Sequence, residues 1–175
     1  MKNFYAIDVE TTGFMHNEPI QIAAVRFKNG EPADFFNTYF TPYHDIEDTA
    51  TKVHQLTVKK LQQLDAVKWT FWRSKLLSDF LHESPDLPIV GHSVTYDKDQ
   101  VLRPAFDRVK NAKGFPREER WRCTYQLSHN IPYLRTRDLD SVIWVLGMEP
   151  RAPNAAHDAL KDAILSGNVF MELMK

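Results

Sequence analysis

Two carboxylates, Asp8 and Glu10, interrupt the apolar stretch "FYAIDVETTG" near the start of the chain. Side chains alternate along a β-strand, so both project from one face, about 6 to 7 Å apart along the backbone. Ala6, Ile7 and Val9 mark this segment for burial, where a charge has to be paired, neutralised or held by a metal ion. No basic residue lies close in sequence, so a distant Lys or Arg is the alternative to a metal. Further on, "VGHSVTYDKD" puts Asp97 and Asp99 in a helix that follows a short strand, where open sheets build their sites. "NAAHDALKDA" then supplies His157, Asp158 and Asp162. On a regular helix His157 and Asp162 stand about 140° apart, whereas Asp158 and Asp162 share a face. Spacing therefore favours Asp158 as the partner of Asp162, unless His157 sits at the entrance to the helix and turns over the same cleft.

The elements that must position these groups belong to a chain of 175 residues, 43% hydrophobic and 26% charged, which is expected to form a single domain over 1–175. No apolar run reaches the length of a membrane span and no export signal is evident, so a soluble cytoplasmic protein with no membrane partner is expected. Cys123 is the lone cysteine, which excludes an internal disulfide and any multi-cysteine zinc site; a metal would have to use oxygen and imidazole. The net charge of −1 does not announce a nucleic-acid binder. Between Arg103 and Arg137, however, nine Lys or Arg stand against three acids, interleaved with Phe106, Phe115, Trp121, Tyr125 and Tyr133. That mixture suits phosphate contact and base stacking, and equally a solvated surface.

"NFYAIDV", "PIQIAAVRF" and "DFFNTYF" read as three strands, the last two joined through Asn29-Gly30, a strong hairpin signal. Helical spacing follows in "TVKKLQQL", with Thr57 as N-cap, and in "TFWRSKLLSDFL", which places Phe71, Leu76, Leu77 and Phe80 near one face. "LPIVGH" is a short strand, and "VTYDKDQVLRPAFDRV" is helical with Pro104 expected to kink or end it. "RWRCTYQL" opens with a strand, "DLDSVIWVLGM" is a helix capped by Gly147, and "HDALKDAILSGNVFMELM" is helical to its end. A meander followed by alternating helix and strand predicts an α/β protein, a mixed sheet with helices on both faces.

Taken together, "DVETTG", "HSVTYD" and "HDALKD" resemble the three motifs of the DEDDh exonucleases, the family of polymerase proofreading subunits, oligoribonuclease and ribonuclease T. The second motif selects Asp97 over Asp99, and the third selects His157 and Asp162, against the helical-face preference for Asp158. "VHQLT" and "RCTYQLSH" resemble further family segments, so the likeness spans nearly the whole chain in order. Gln21, Ser93, Val94 and Gln55 depart from the family's usual residues, and none of them is a presumed metal ligand.

The resemblance implies a ribonuclease H-like fold, a five-stranded mixed sheet with an antiparallel meander followed by parallel strands, carrying a 3′-to-5′ exonuclease. It implies two Mg²⁺ or Mn²⁺ ions held by Asp8, Glu10, Asp97 and Asp162, in keeping with the preference of hard cations for oxygen. His157 is then the base that takes a proton from the attacking water. Thr11, Thr12, Phe14 and His54 are the substrate-binding candidates, Phe14 as an apolar wedge against the terminal base and His54 in the same pocket. The implied substrate is nucleic acid with a free 3′ end, single-stranded. The competing reading is a proofreading or accessory subunit that docks on a polymerase or pairs with a second copy of itself.

Overall fold

In the computed structural model, which describes residues 1–152 and 154–175, the chain reverses at Asn29-Gly30, both with positive φ (55° and 90°). The hairpin joins β2 (Pro19–Lys28) to β3 (Glu31–Tyr39), and β2 pairs antiparallel with β1 (Phe4–Thr11). On the other side of β1 come β4 (Ile89–Gly91) and then β5 (Trp121–Cys123), both parallel, giving the order β3-β2-β1-β4-β5. The expected five-stranded mixed sheet is thus present, with β1 at its centre.

Alternation along β1 decides which side chains meet which layer. Tyr5, Ile7 and Val9 face a core built with Leu77 and Leu81 of α3 (Phe71–His82), and with Val101, Leu102 and Phe106. The last three come from a π-helical segment, Tyr96–Leu102, and from α4 (Arg103–Arg108), which continues it; the change of helix type falls beside Pro104. Phe4 and Ala6 face the opposite way, onto Ala163 and Phe170 of α7 (Ala159–Leu173). Asp8 and Glu10 continue this second row, so they leave the sheet on the α7 side at the carboxyl end of β1. The connections add α1 (Asp48–His54), α2 (Val58–Gln63), α5 (Thr124–Leu127) and α6 (Leu139–Val145). Thr57 and Asp138 cap α2 and α6, accepting from the amides of Lys60 and Ser141.

One expectation needs correction and one open reading is narrowed. The buried stripe of α3 is Ser74, Leu77, Ser78 and Leu81, while Phe71 and Leu76 are exposed. Ser74 is buried because its hydroxyl is satisfied, donating to the Phe71 carbonyl (2.8 Å) and accepting from the Asn111 side-chain amide (2.9 Å). In the mixture between Arg103 and Arg137 most of the Lys and Arg are solvated, but Phe106 and Trp121 are core, and buried Arg120 donates to the carbonyls of Leu81 and Leu87 (2.8 Å each). Tyr125 and Tyr133 remain exposed. Among the described residues no helix is long and apolar enough to cross a membrane.

The seat of α7 depends on Gly167. A Cβ there would lie 2.5 Å from the Phe27 ring and 3.3 Å from the Ala6 Cβ. Phe27 cannot retreat, because it is fully buried and stacked on Phe4 with ring centroids 4.6 Å apart. Gly167→Ala gains about 1 kcal/mol of helix propensity but loses more to overpacking, typically 1 to 3 kcal/mol. A net loss of stability, read as a lower melting temperature, is expected; an unchanged or raised melting temperature would contradict this packing.

Candidate active site

The strand row that ends in Asp8 and Glu10 meets three further groups. Asp97 arrives from the π-helical segment after β4, Asp162 from the first turn of α7, and His157 from the segment just before it. Glu10, Asp97 and Asp162 are buried, whereas Asp8 retains some exposure. Ligand atoms of Glu10, His157 and Asp162 all lie within 4.8 Å of one another. His157 Nδ1 stands 3.3 Å from Asp162 Oδ2. Asp97 Oδ2 and Asp162 Oδ1 are buried with no hydrogen-bond partner among the described residues. Such oxygens are expensive unless a cation reaches them.

Local geometry places the two pairs of alternatives that spacing left open in different surroundings. Asp99 is engaged with Lys98 and Arg103, outside the cluster. Asp158 is the N-cap of α7, with its carboxylate accepting from the Lys161 amide (3.1 Å). Helical periodicity therefore starts at Ala159 and does not reach His157, whose own amide bonds the Val53 carbonyl in α1 (3.1 Å). Gln21 fixes the same corner from β2. Its carbonyl accepts from the Ala159 amide (3.2 Å), and its amide donates to Asn37 (3.1 Å) and Asp158 (3.3 Å). A glutamate could not donate to Asp158, so the glutamine fits its partners.

Beside the carboxylates lies a cavity of about 580 Å³, lined among others by Glu10, Thr11, Phe14, His54, His92, Tyr96 and Asp97. Phe14 is 80% exposed and stands edge-on to Tyr96, ring centroids 5.7 Å apart, which suits a flat group stacked against the open Phe14 ring. His54 lines the cavity but is also a strut. Its Nδ1 accepts from the Leu56 amide (3.0 Å), which leaves Nε2 to donate to the Thr11 carbonyl (3.2 Å). Thr12 does not line the cavity; it is buried and bonds Glu18 twice, at 2.9 Å through its amide and 3.2 Å through its hydroxyl. The sequence reading assigned no role to Tyr96, His92 or Arg151. The first two lie inside the "HSVTYD" motif, whereas nothing in the sequence pointed to Arg151.

Burial is the largest cause holding the Asp8 carboxyl well above the usual carboxylate range, followed by Asp97, Glu10 and Asp162, with Arg151 opposing them. Burial likewise raises Glu10 from its ordinary 4.5 to about 8, helped by Asp162 and Asp158 and opposed by Arg151. Asp97 is raised by burial and then by Glu10. The folded state thus holds these protons more tightly than the unfolded chain. Their contribution to stability is full below the ordinary carboxylate range and is lost as pH rises through the raised values. Burial lowers His54 and His92, which works in the opposite direction, but only up to about pH 6.5. With divalent ions chelated, the melting temperature should therefore fall by about 3 to 6 °C between roughly pH 7 and 8.5. Glu10→Gln should flatten that slope; an equally steep slope in the variant would refute the assignment.

Residues 5–170 match the model of the exonuclease family RNase T. Over 177 residues and 98% of its length, the chain is 29% identical to the DNA polymerase III PolC-type of Thermotoga maritima, of which it spans 12%. It is 28% identical over 175 residues to the DNA polymerase III subunit epsilon of Aquifex aeolicus, covering 98% of this chain and 80% of that one. Among solved structures, the zinc-bound complex of E. coli exonuclease I with single-stranded DNA superposes with a TM-score of 0.74 at 18% identity, over 100% of this chain and 40% of that one. The nuclease domain of 3′hExo, a DEDDh family member bound to rAMP, gives 0.73 at 18% identity, over 99% and 92%. These two show the shared ribonuclease H-like fold. The chain belongs to the exonuclease family, and the likeness to DEDDh exonucleases read from its three motifs holds.

Proposed function

We propose that the chain is a metal-dependent 3′-to-5′ exonuclease that removes nucleoside 5′-monophosphates from single-stranded nucleic acid. The observation that carries this reading is the meeting of Asp8, Glu10, Asp97 and Asp162, from three separate parts of the chain, beside a cavity of about 580 Å³. The orphaned oxygens of Asp97 and Asp162 and the all-oxygen donor set fit Mg²⁺ or Mn²⁺. These four carboxylates would hold two ions, which supply positive charge to the attacking and leaving oxygens of a displacement at phosphorus.

The protein's own groups do the rest. His157 takes the proton of the attacking water, oriented by the Asp162 carboxylate beside its Nδ1. The water oxygen bonds to phosphorus as the bond from phosphorus to the 3′ oxygen of the penultimate nucleotide breaks; that oxygen takes a proton from solvent, and His157 returns to solvent the proton it took. Phe14, backed by Tyr96, offers its exposed ring to the terminal base, while Thr11, its carbonyl bonded by His54, lines the same cavity. The polymerase III relatives support a proofreading role beside a polymerase, and with it a cytoplasmic location, for the single unit 1–175.

Incubated with 5′-labelled single-stranded DNA and RNA, the protein should shorten one or both stepwise with Mg²⁺ or Mn²⁺ and neither with EDTA. Asp8→Ala should abolish shortening. His157→Gln should lower kcat by about 10²- to 10⁴-fold while keeping the rise in melting temperature on adding Mn²⁺. Wild-type rates from Asp8→Ala would sink the assignment.

A further inference from the structure

Arg151 is the one cation seen to reach into the carboxylate cluster among the described residues. It lies in the connection between α6 and α7, its side chain only 13% exposed. Nη1 stands 3.2 Å from Asp162 Oδ2, the same oxygen that faces His157, and Nε stands 3.0 Å from Asp140 Oδ1. Neither contact has hydrogen-bond geometry, and both nitrogens lack a hydrogen-bond partner among the described residues. A guanidinium normally answers carboxylates with oriented, forked hydrogen bonds. Here it is held by charge, in a place where four acids set the field. Asp140, about half exposed, gives it a second anchor outside the cluster.

We propose that Arg151 is a resident counter-cation of the acid cluster: it partly neutralises Asp162 when no divalent ion is bound, competes with that ion for the site, and rests on Asp140 when the ion takes over. The inference builds on the metal-site reading and goes beyond it, because it assigns the setting of metal affinity to a residue that is not a ligand. A positive charge this close to a ligand oxygen opposes a second cation by more than solvent screening removes, since the guanidinium is largely buried. The cost of that opposition is weaker metal binding. The gain is a metal-free protein whose acids do not push the end of the sheet and α7 apart.

The test is calorimetric titration of the intact protein with Mn²⁺, together with melting curves in EDTA and in Mn²⁺. Arg151→Gln should bind Mn²⁺ about tenfold more tightly. It should also melt lower than wild type in EDTA and show a larger rise on adding Mn²⁺. Arg151→Lys keeps the charge and should bind within about threefold of wild type. A clamp that merely held the connection in place would lower melting equally in both conditions and leave affinity unchanged, and that result overturns the proposal. So does equal tightening in Arg151→Lys and Arg151→Gln. If Arg151→Gln folds only when Mn²⁺ is present, the counter-cation role is supported. Failure of the wild type itself to bind Mn²⁺ or Mg²⁺ would instead overturn the metal-site reading, and this inference with it.

Discussion

Like charges brought together at the carboxyl end of a central strand repel, and burial strengthens that repulsion by removing the water that would screen it. Asp8, Glu10, Asp97 and Asp162 share this predicament: burial and one another's charge raise three of them, and the fourth carries a buried oxygen with no donor. Nothing in their immediate sequence relieves it. Held protons and the nearby Arg151 guanidinium relieve part of it, a divalent cation would relieve the rest, and the surrounding structure keeps the acids together.

That organisation begins in the layer beneath. Phe4, Ala6, Phe27, Ala163 and Phe170 form a dry contact between the sheet and α7, closed tightly over Gly167. It fixes the helix axis, and so the place of Asp162 in its first turn, at some distance from the charges themselves. The near end of α7 has polar anchors instead. Asp158 caps it, Gln21 binds both the cap and the first helical amide, and the His157 amide is tied to α1. Apolar packing at one end and hydrogen bonds at the other leave the carboxylates little room to relax apart. A low-dielectric site that cannot relax is what makes an added cation effective.

Sequence periodicity revealed the parts of this arrangement that depend on local geometry. The alternation in β1 placed Asp8 and Glu10 on one face, and Asn29-Gly30 fixed the hairpin, because both follow from the backbone of a few adjacent residues. Choosing Asp97 over Asp99, and His157 over Asp158, needed the likeness to a family. Helical-face reasoning went astray at the second choice because the helix starts two residues beyond His157, a boundary set by the capping carboxylate. The face of α3 differs from its hydropathy pattern for another reason: Ser74 is buried with its hydroxyl satisfied by the Phe71 carbonyl and the Asn111 side chain, a partner distant in sequence that hydropathy does not encode. Arg151 was illegible altogether, since its meaning arises only when α6, α7 and their connection are folded against one another.

The departures from the family's usual residues point to backbone geometry as what the cavity walls require. Gln55 and Ser93 replace glycine and asparagine, and both adopt left-handed φ, 57° and 58°, where those two residues are most at ease. Each follows a histidine of the cavity wall. His54 is pinned to the Thr11 carbonyl and His92 to the Arg137 carbonyl (2.7 Å). The turn after each histidine lets the chain change direction while the ring stays fixed, so the strain of a side chain in this conformation, about 1 to 2 kcal/mol each, is held by contacts on the preceding residue. Gln21 follows the same logic through hydrogen bonding rather than torsion. The histidines and the α7 cap thus hold the walls through hydrogen bonds, and residues 21, 55 and 93 meet the backbone and donor requirements those neighbours impose.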